Sequence, residues 1–213
     1  ILGNEKKFNV QRLKDPINSE TSDFGGTLKN GKLYITSARN DRNRRKTYGW
    51  TTEAFLDIYT ANLNDNGEFS EPSIIKENIN TKYHEGTVSF SPDGNTMYFS
   101  RESFYDKIYE KDSSTKYKIS VLHLYKSINQ QGQWSEAEAL SLNGENYSVK
   151  NPSVSSDGTT LYFASDKVGG YGNFDIYSAP IDENGSVGEA TNMGQKINTE
   201  AQEMFPFISS NNT

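Results

Sequence analysis

No cysteine occurs in the 213 residues, which excludes disulfides, thiolate nucleophiles and zinc–thiolate sites. Histidine is nearly absent too, with only His84 and His123. Two such ligands in separate parts of the chain are poor material for a zinc centre, which draws three or four. No apolar run approaches the roughly 18 residues of a spanning helix. Basic residues are outnumbered, 22 against 28 acids, for a net charge of -6. That balance argues against sequence-independent nucleic-acid binding, which needs a basic surface. Hydrophobic residues make up only 33% and mean hydropathy is -0.80. Aromatics, in contrast, reach 12%, with 13 Tyr and 11 Phe. Disordered chains are poor in aromatics, so the mixture points to short strands with wet edges.

The chain repeats itself, and the repeat carries the fold assignment. Asn30-Gly31-Lys32-Leu33-Tyr34-Ile35 aligns with Asp93-Gly94-Asn95-Thr96-Met97-Tyr98-Phe99 and with Asp157-Gly158-Thr159-Thr160-Leu161-Tyr162-Phe163, the glycines lying 63 and 64 residues apart. A second marker, Ile17-Asn18, recurs as Ile79-Asn80, Leu142-Asn143 and Ile197-Asn198. A third is Leu56-Asp57-Ile58-Tyr59, echoed by Leu122-His123-Leu124-Tyr125 and Phe174-Asp175-Ile176-Tyr177. Each unit predicts four short antiparallel strands. In unit two these are an alternating strand through Val88 and Phe90, one through Met97 and Phe99, a third over Ile119–Lys126 and a fourth from Trp134. The turn glycines accept the left-handed conformation that closes a hairpin.

Four-stranded units in tandem predict an all-β fold, a β-propeller of four-stranded antiparallel blades. Residues 1–16 form a lead-in, and the units span about 17–78, 79–141 and 142–196, with the start of a fourth over 197–213. A propeller ring has at least four blades, so an incomplete ring is expected, within a longer and processed protein that does not begin at Ile1.

Three stretches carry a family likeness: Asn151-Pro152-Ser153-Val154-Ser155-Ser156-Asp157-Gly158, Leu161-Tyr162-Phe163-Ala164-Ser165-Asp166, and Gly169-Gly170-Tyr171-Gly172-Asn173-Phe174-Asp175-Ile176-Tyr177. They resemble the WD-repeat-like propeller repeat of OmpA-family proteins of Bacteroidetes, and the TolB-type periplasmic propellers. The likeness covers nearly all of residues 17–213. Unit one departs from it with a basic insertion at 39–46, and unit two has His123 where its neighbours have Asp. The resemblance implies a periplasmic location associated with the outer membrane and partners in an outer-membrane or secretion complex. One branch of the family is linked to type IX secretion. Peptidoglycan contact belongs in that family to a separate domain, absent from these residues.

The residues themselves offer few reactive groups. No nucleophile elbow, phosphate loop or dinucleotide fingerprint is present. The expectation is therefore no enzyme, no cofactor and no metal, but a protein-interaction scaffold. The alternative is a propeller that binds or hydrolyses glycans or peptides. Asp57 and Asp175, at one repeated position, are read as acceptors for backbone N–H groups. Asp93-Gly94 and Asp157-Gly158 are read as self-capping turns. Binding is expected on the long connections between second and third strands, where the units differ. The first holds Arg42, Arg44, Arg45, Tyr48 and Trp50, and the second Phe104, Tyr105 and Tyr109. Arginine and aromatics are enriched in interface hot spots.

Overall fold

A computed structural model describes residues 10, 12–13, 16–41, 47–49, 51–75, 79–111, 114 and 118–209. The first sheet is antiparallel in chain order: β1 (Asp23–Lys29), β2 (Lys32–Ser37), β3 (Asp57–Asn62) and β4 (Ser73–Ile74). The second begins with β5 (Glu85–Phe90) and β6 (Thr96–Glu102). A small ribbon of β7 (Glu110–Lys111) and β8 (Lys118–Ile119) interrupts it before β9 (Leu122–Gln130), on which β10 (Gln133–Trp134) and β11 (Glu138–Ala139) both pair. The third repeats the first: β12 (Val149–Val154), β13 (Thr160–Ser165), β14 (Asp175–Pro180) and β15 (Thr191–Asn192). These are three propeller blades. Among the described residues the one helical element is a 3-10 turn, Ser103–Asp106.

Two strand limits in the second blade differ from the sequence expectation. The third strand runs over Leu122–Gln130, not Ile119–Lys126, because Lys118 and Ile119 pair with Lys111 and Glu110 in the ribbon. The strand proper starts after Val121, whose N–H bonds to the Ser103 hydroxyl and whose C=O takes the Ser103 N–H. The fourth strand is split rather than continuous from Trp134. Ser135 substitutes for a ladder rung, its hydroxyl taking the Ile128 N–H at 3.0 Å and its carbonyl the Ser127 hydroxyl at 2.8 Å.

Register proves the repeat. Leu33 lies opposite Ala61, Met97 opposite Ser127 and Leu161 opposite Ala179, so the three coincide. Tyr34, Tyr98 and Tyr162 likewise face Thr60, Lys126 and Ser178. Alternation then builds the seams between blades. Tyr34 and Ile58 of the first blade pack with Val88, Phe90, Met97, Phe99 and Tyr125 of the second. Tyr98 and Leu124 of the second pack with Val149, Leu161, Phe163 and Tyr177 of the third. Met97 and Leu161 are fully buried, each contributing about 1.5–3 kcal/mol by area.

Two further devices recur in every blade. The inner strands bulge at one position, where Gly25, Thr87 and Asn151 all take positive φ, at 65°, 25° and 55°. The kink lets neighbouring blades bond: Thr87 N–H donates to Thr36 Oγ1 and Asn151 N–H to Ser100 Oγ, both at 3.1 Å. The Asn of the Ile-Asn marker is the second device. Asn80 accepts the Ile58 N–H at 2.7 Å and donates to the Ile58 carbonyl at 2.9 Å, standing in for a missing strand. Asn143 does the same for Leu124, and Asn198 for Ile176.

Candidate functional site

Each blade has a turn end and a long-connection end. At the turn end the carboxylates are occupied. Asp93 accepts the Ser91 hydroxyl at 2.5 Å and the Asn95 N–H at 3.0 Å; Asp157 accepts Ser155 and Thr159 in the same way. These bonds, the serine's foremost, hold both below the usual carboxylate range, Asp157 at about 2. Gly94 and Gly158 close the turns at φ 76°.

At the other end Asp57, His123 and Asp175 occupy one slot, opposite Ser37, Arg101 and Ser165. All three are buried. Asp175 accepts Tyr171 N–H at 2.6 Å, Gly172 N–H at 3.0 Å and the Asn192 amide at 2.7 Å. His123 sets its Nε2 2.9 Å from the Gly144 carbonyl, with Nδ1 3.4 Å from Asp106.

The strongest electrostatic feature escaped the sequence reading. Arg101 is wholly buried, its Nε 3.1 Å from Glu85 Oε1 and its Nη2 2.8 Å from the Ile79 carbonyl. Its guanidinium lies 5.2, 4.3 and 4.7 Å from the ring centres of Phe99, Tyr105 and Tyr125. Burial pushes Glu85 up, against the pull of Thr81 and Arg101. Blade one repeats the device: Arg39 pairs with Asp23 at 3.1 Å, bonds the Ile17 carbonyl and lies 5.4 Å over Tyr59. Each acid precedes its arginine by sixteen residues, but the two arginines stand at different register positions.

Above this base lie the described residues of the connection in blade two. The 3-10 turn is pinned by Asp106, which the Tyr125 hydroxyl reaches. Phe104 stacks on Tyr83 at 5.6 Å and meets Tyr109 at 5.8 Å. Lysines cap the row, Lys82 at 5.1 Å over Tyr83 and Lys118 at 4.0 Å over Tyr109. Lys107 and Lys111 are exposed beside it. Tyr105 is 40% exposed and covers Arg101. In blade one, Tyr48 is half-buried and turns inward, 4.4 Å from His84 and 5.9 Å from Phe55. Arg42, Arg44, Arg45 and Trp50 lie outside the described residues.

His84 and Glu102 complete this end. His84 Nδ1 accepts the Leu56 N–H at 3.0 Å, and burial lowers its pKa to about 4. Glu102 is buried with Oε2 unpartnered, and burial pushes its pKa up to about 7, against bonds from the His84 backbone and Ser120. Its folded pKa lies above the 4.5 of an ordinary glutamate. The fold therefore favours the protonated acid, a contribution fully present below about pH 4.5 and lost as pH rises through about 7. The full swing is about 3 kcal/mol. Glu102→Gln should remove it, so denaturant titrations of variant and parent should diverge in favour of the variant between pH 5 and 9. Parallel curves would place Glu102 in contact with water.

No metal-holding group of three or more His, Cys, Asp or Glu side chains forms among the described residues. Nor is any helix there long and apolar enough to cross a membrane.

No protein-family profile matches the chain, and no curated protein matches it. Solved structures do. TolB from Acinetobacter baumannii is 18% identical, with 91% of this chain and 37% of that one covered and a TM-score of 0.48. An α-L-arabinofuranosidase from Lactobacillus brevis is 12% identical, covering 85% and 55% at 0.49. A puromycin-hydrolysing peptidase from Mycobacterium tuberculosis is 11% identical, covering 82% and 23% at 0.46. The chain thus spans less than two thirds of each. At these scores the likenesses carry no argument about activity, and the propeller assignment rests on the chain's own three registered sheets.

Proposed function

We propose that the chain is a non-catalytic protein-interaction module, the propeller part of a periplasmic protein associated with the outer membrane. Its partners are other proteins of an outer-membrane or secretion complex, type IX secretion being the finer reading. Compartment and complex rest on the repeat's resemblance to OmpA-family and TolB-type propellers. The docking role rests on one observation. Blade two carries a row of aromatic rings, Tyr83 before its first strand and Phe104 and Tyr109 on the connection between its second and third strands, capped by Lys82 and Lys118. Ordering a loop costs roughly 1–2 kcal/mol per residue, so the ordered stretch 103–111 calls for an offsetting interaction. Rings edged with lysine suit an acidic protein surface.

Site-specific photo-cross-linking tests this. A photoreactive residue at Tyr109 should yield cross-links to envelope proteins that one at Glu183, at the turn end, does not. Equal yields from both positions, or none from Tyr109, would remove the row from the docking surface.

A further inference from the structure

Register exposes one place where the third blade departs from its sisters. Four positions enclose the buried arginine of blade two: Ile79, Glu85, Phe99 and Tyr125. Their counterparts in blade three are Leu142, Val149, Phe163 and Tyr177. Where Arg101 stands opposite Glu85, Ser165 stands opposite Val149. Both members of the ion pair are missing together, and those residues line a cleft of about 510 Å3. Its remaining walls include Tyr147, Lys167 and Glu189.

Blade one explains why the cleft stays open. There the arginine comes two residues later, Arg39, whose N–H bonds to Ser37 Oγ at 3.1 Å and whose guanidinium swings in to Asp23. Lys167 stands in the same relation to Ser165, its N–H on Ser165 Oγ at 3.2 Å. Val149 offers no carboxylate to draw it inward. Lys167 is therefore exposed and forms no ion pair among the described residues, its Nζ lying 5.6 Å over the Tyr147 ring at the mouth. The Leu142 carbonyl, which an arginine would have satisfied, takes the Tyr147 hydroxyl at 3.1 Å instead. Beneath the cleft the parallel pair Phe163 and Tyr177, 5.9 Å apart at 12°, is buried, and the half-buried Tyr147, Val187 and Ala190 form the accessible apolar wall. In blade two the matching pair supports the flat guanidinium.

We propose that this cleft binds a small carboxylate carrying a flat apolar group, the carboxylate pairing with Lys167 and the flat group lying against Tyr147 and Val187. The ligand supplies the acid that Asp23 and Glu85 supply in the sister blades. It brings no positive charge, which Val149 could not neutralise there. The volume suits a small organic molecule or the end of a peptide. Glu189 at the rim disfavours ligands with a second negative charge on that side. This inference stands apart from the docking row, which lies on blade two.

Titration of the 213-residue chain with 3-phenylpropionate, followed by NMR, tests the site, with propionate and phenethylamine as companions. Saturable shifts at Tyr147, Val187 and Lys167 are expected for 3-phenylpropionate, with binding by propionate or phenethylamine weaker by about tenfold or more. Lys167→Glu, at an exposed position, should weaken 3-phenylpropionate binding by a similar factor, while Lys167→Arg should retain it. Val149→Asp with Lys167→Arg copies blade one and should close the cleft, abolishing binding in a chain that still unfolds cooperatively. No saturable binding of 3-phenylpropionate, tighter binding of phenethylamine, or binding indifferent to Lys167→Glu would each overturn the proposal. The two single variants at Lys167 keep the test decisive if the double variant does not fold.

Discussion

Replacing Arg101 with alanine should destabilise the fold by about 3–5 kcal/mol, because it strands the Glu85 carboxylate in the core. Both side chains have no solvent exposure, and only Thr81 would remain to bond the acid, through its N–H at 2.9 Å and its hydroxyl at 2.5 Å. The guanidinium also fills space against three rings, so a packing defect adds to the charge defect. Blade three shows the way to relieve it. Glu85→Val with Arg101→Ser installs that blade's residues and removes both charges at once. The double variant should lose less than the sum of Glu85→Val and Arg101→Ser measured singly, a coupling visible in a denaturant double-mutant cycle. Strict additivity would mean that the pair does not act as a unit.

Asn80→Ala should cost about 3 kcal/mol, an effect out of proportion to the small side chain removed. The Asn80 amide accepts the Ile58 N–H and donates to the carbonyls of Ile58 at 2.9 Å and Ile75 at 3.0 Å. All three backbone groups lie where water does not reach, so truncation leaves them orphaned. Asn80→Asp should be nearly as damaging. A carboxylate still takes the N–H but presents oxygen to two carbonyl oxygens. Thermal unfolding of the two variants checks this. A tolerated aspartate would show that the donor half of the amide contributes little.

What the sequence displayed was what every blade spells alike. The turn glycines and the Leu33, Met97, Leu161 and Tyr34, Tyr98, Tyr162 triplets aligned by eye, and the sheets keep them in register. The Ile-Asn marker was visible too, but its chemistry was not, because an asparagine imitating a strand has no local signature. The arginine plug was hidden by its two spellings, Arg39 two positions later in its blade than Arg101. The open cleft was hidden more deeply: it is an absence, Val149 where a carboxylate stands elsewhere, and only registered sheets make an absence countable. Ile119 was misplaced because Lys118-Ile119-Ser120-Val121-Leu122 reads as one continuous alternating strand, whereas pairing with Glu110 and Lys111 takes the first two residues away. The basic connection at 42–46 and Trp50 lie outside the described residues, so the sequence argument stands alone there.

The central claim is that features shared by the blades hold the fold, while the unshared connections make the contacts. Exchanging residues 107–119 for a short glycine–serine link tests it most directly. The exchange keeps the 3-10 turn, Tyr105 and Asp106, which support Arg101 and Tyr125, and removes Tyr109 with the ribbon. The quantity to measure is the yield of envelope-protein complexes on the shortened chain, with its melting temperature as the control for folding. The account predicts a melting temperature within a few degrees of the parent, about 2–4 °C for the loss of a kcal/mol in a chain this size, together with loss of the complexes. A shortened chain that keeps the complexes, or one that no longer folds, would contradict it.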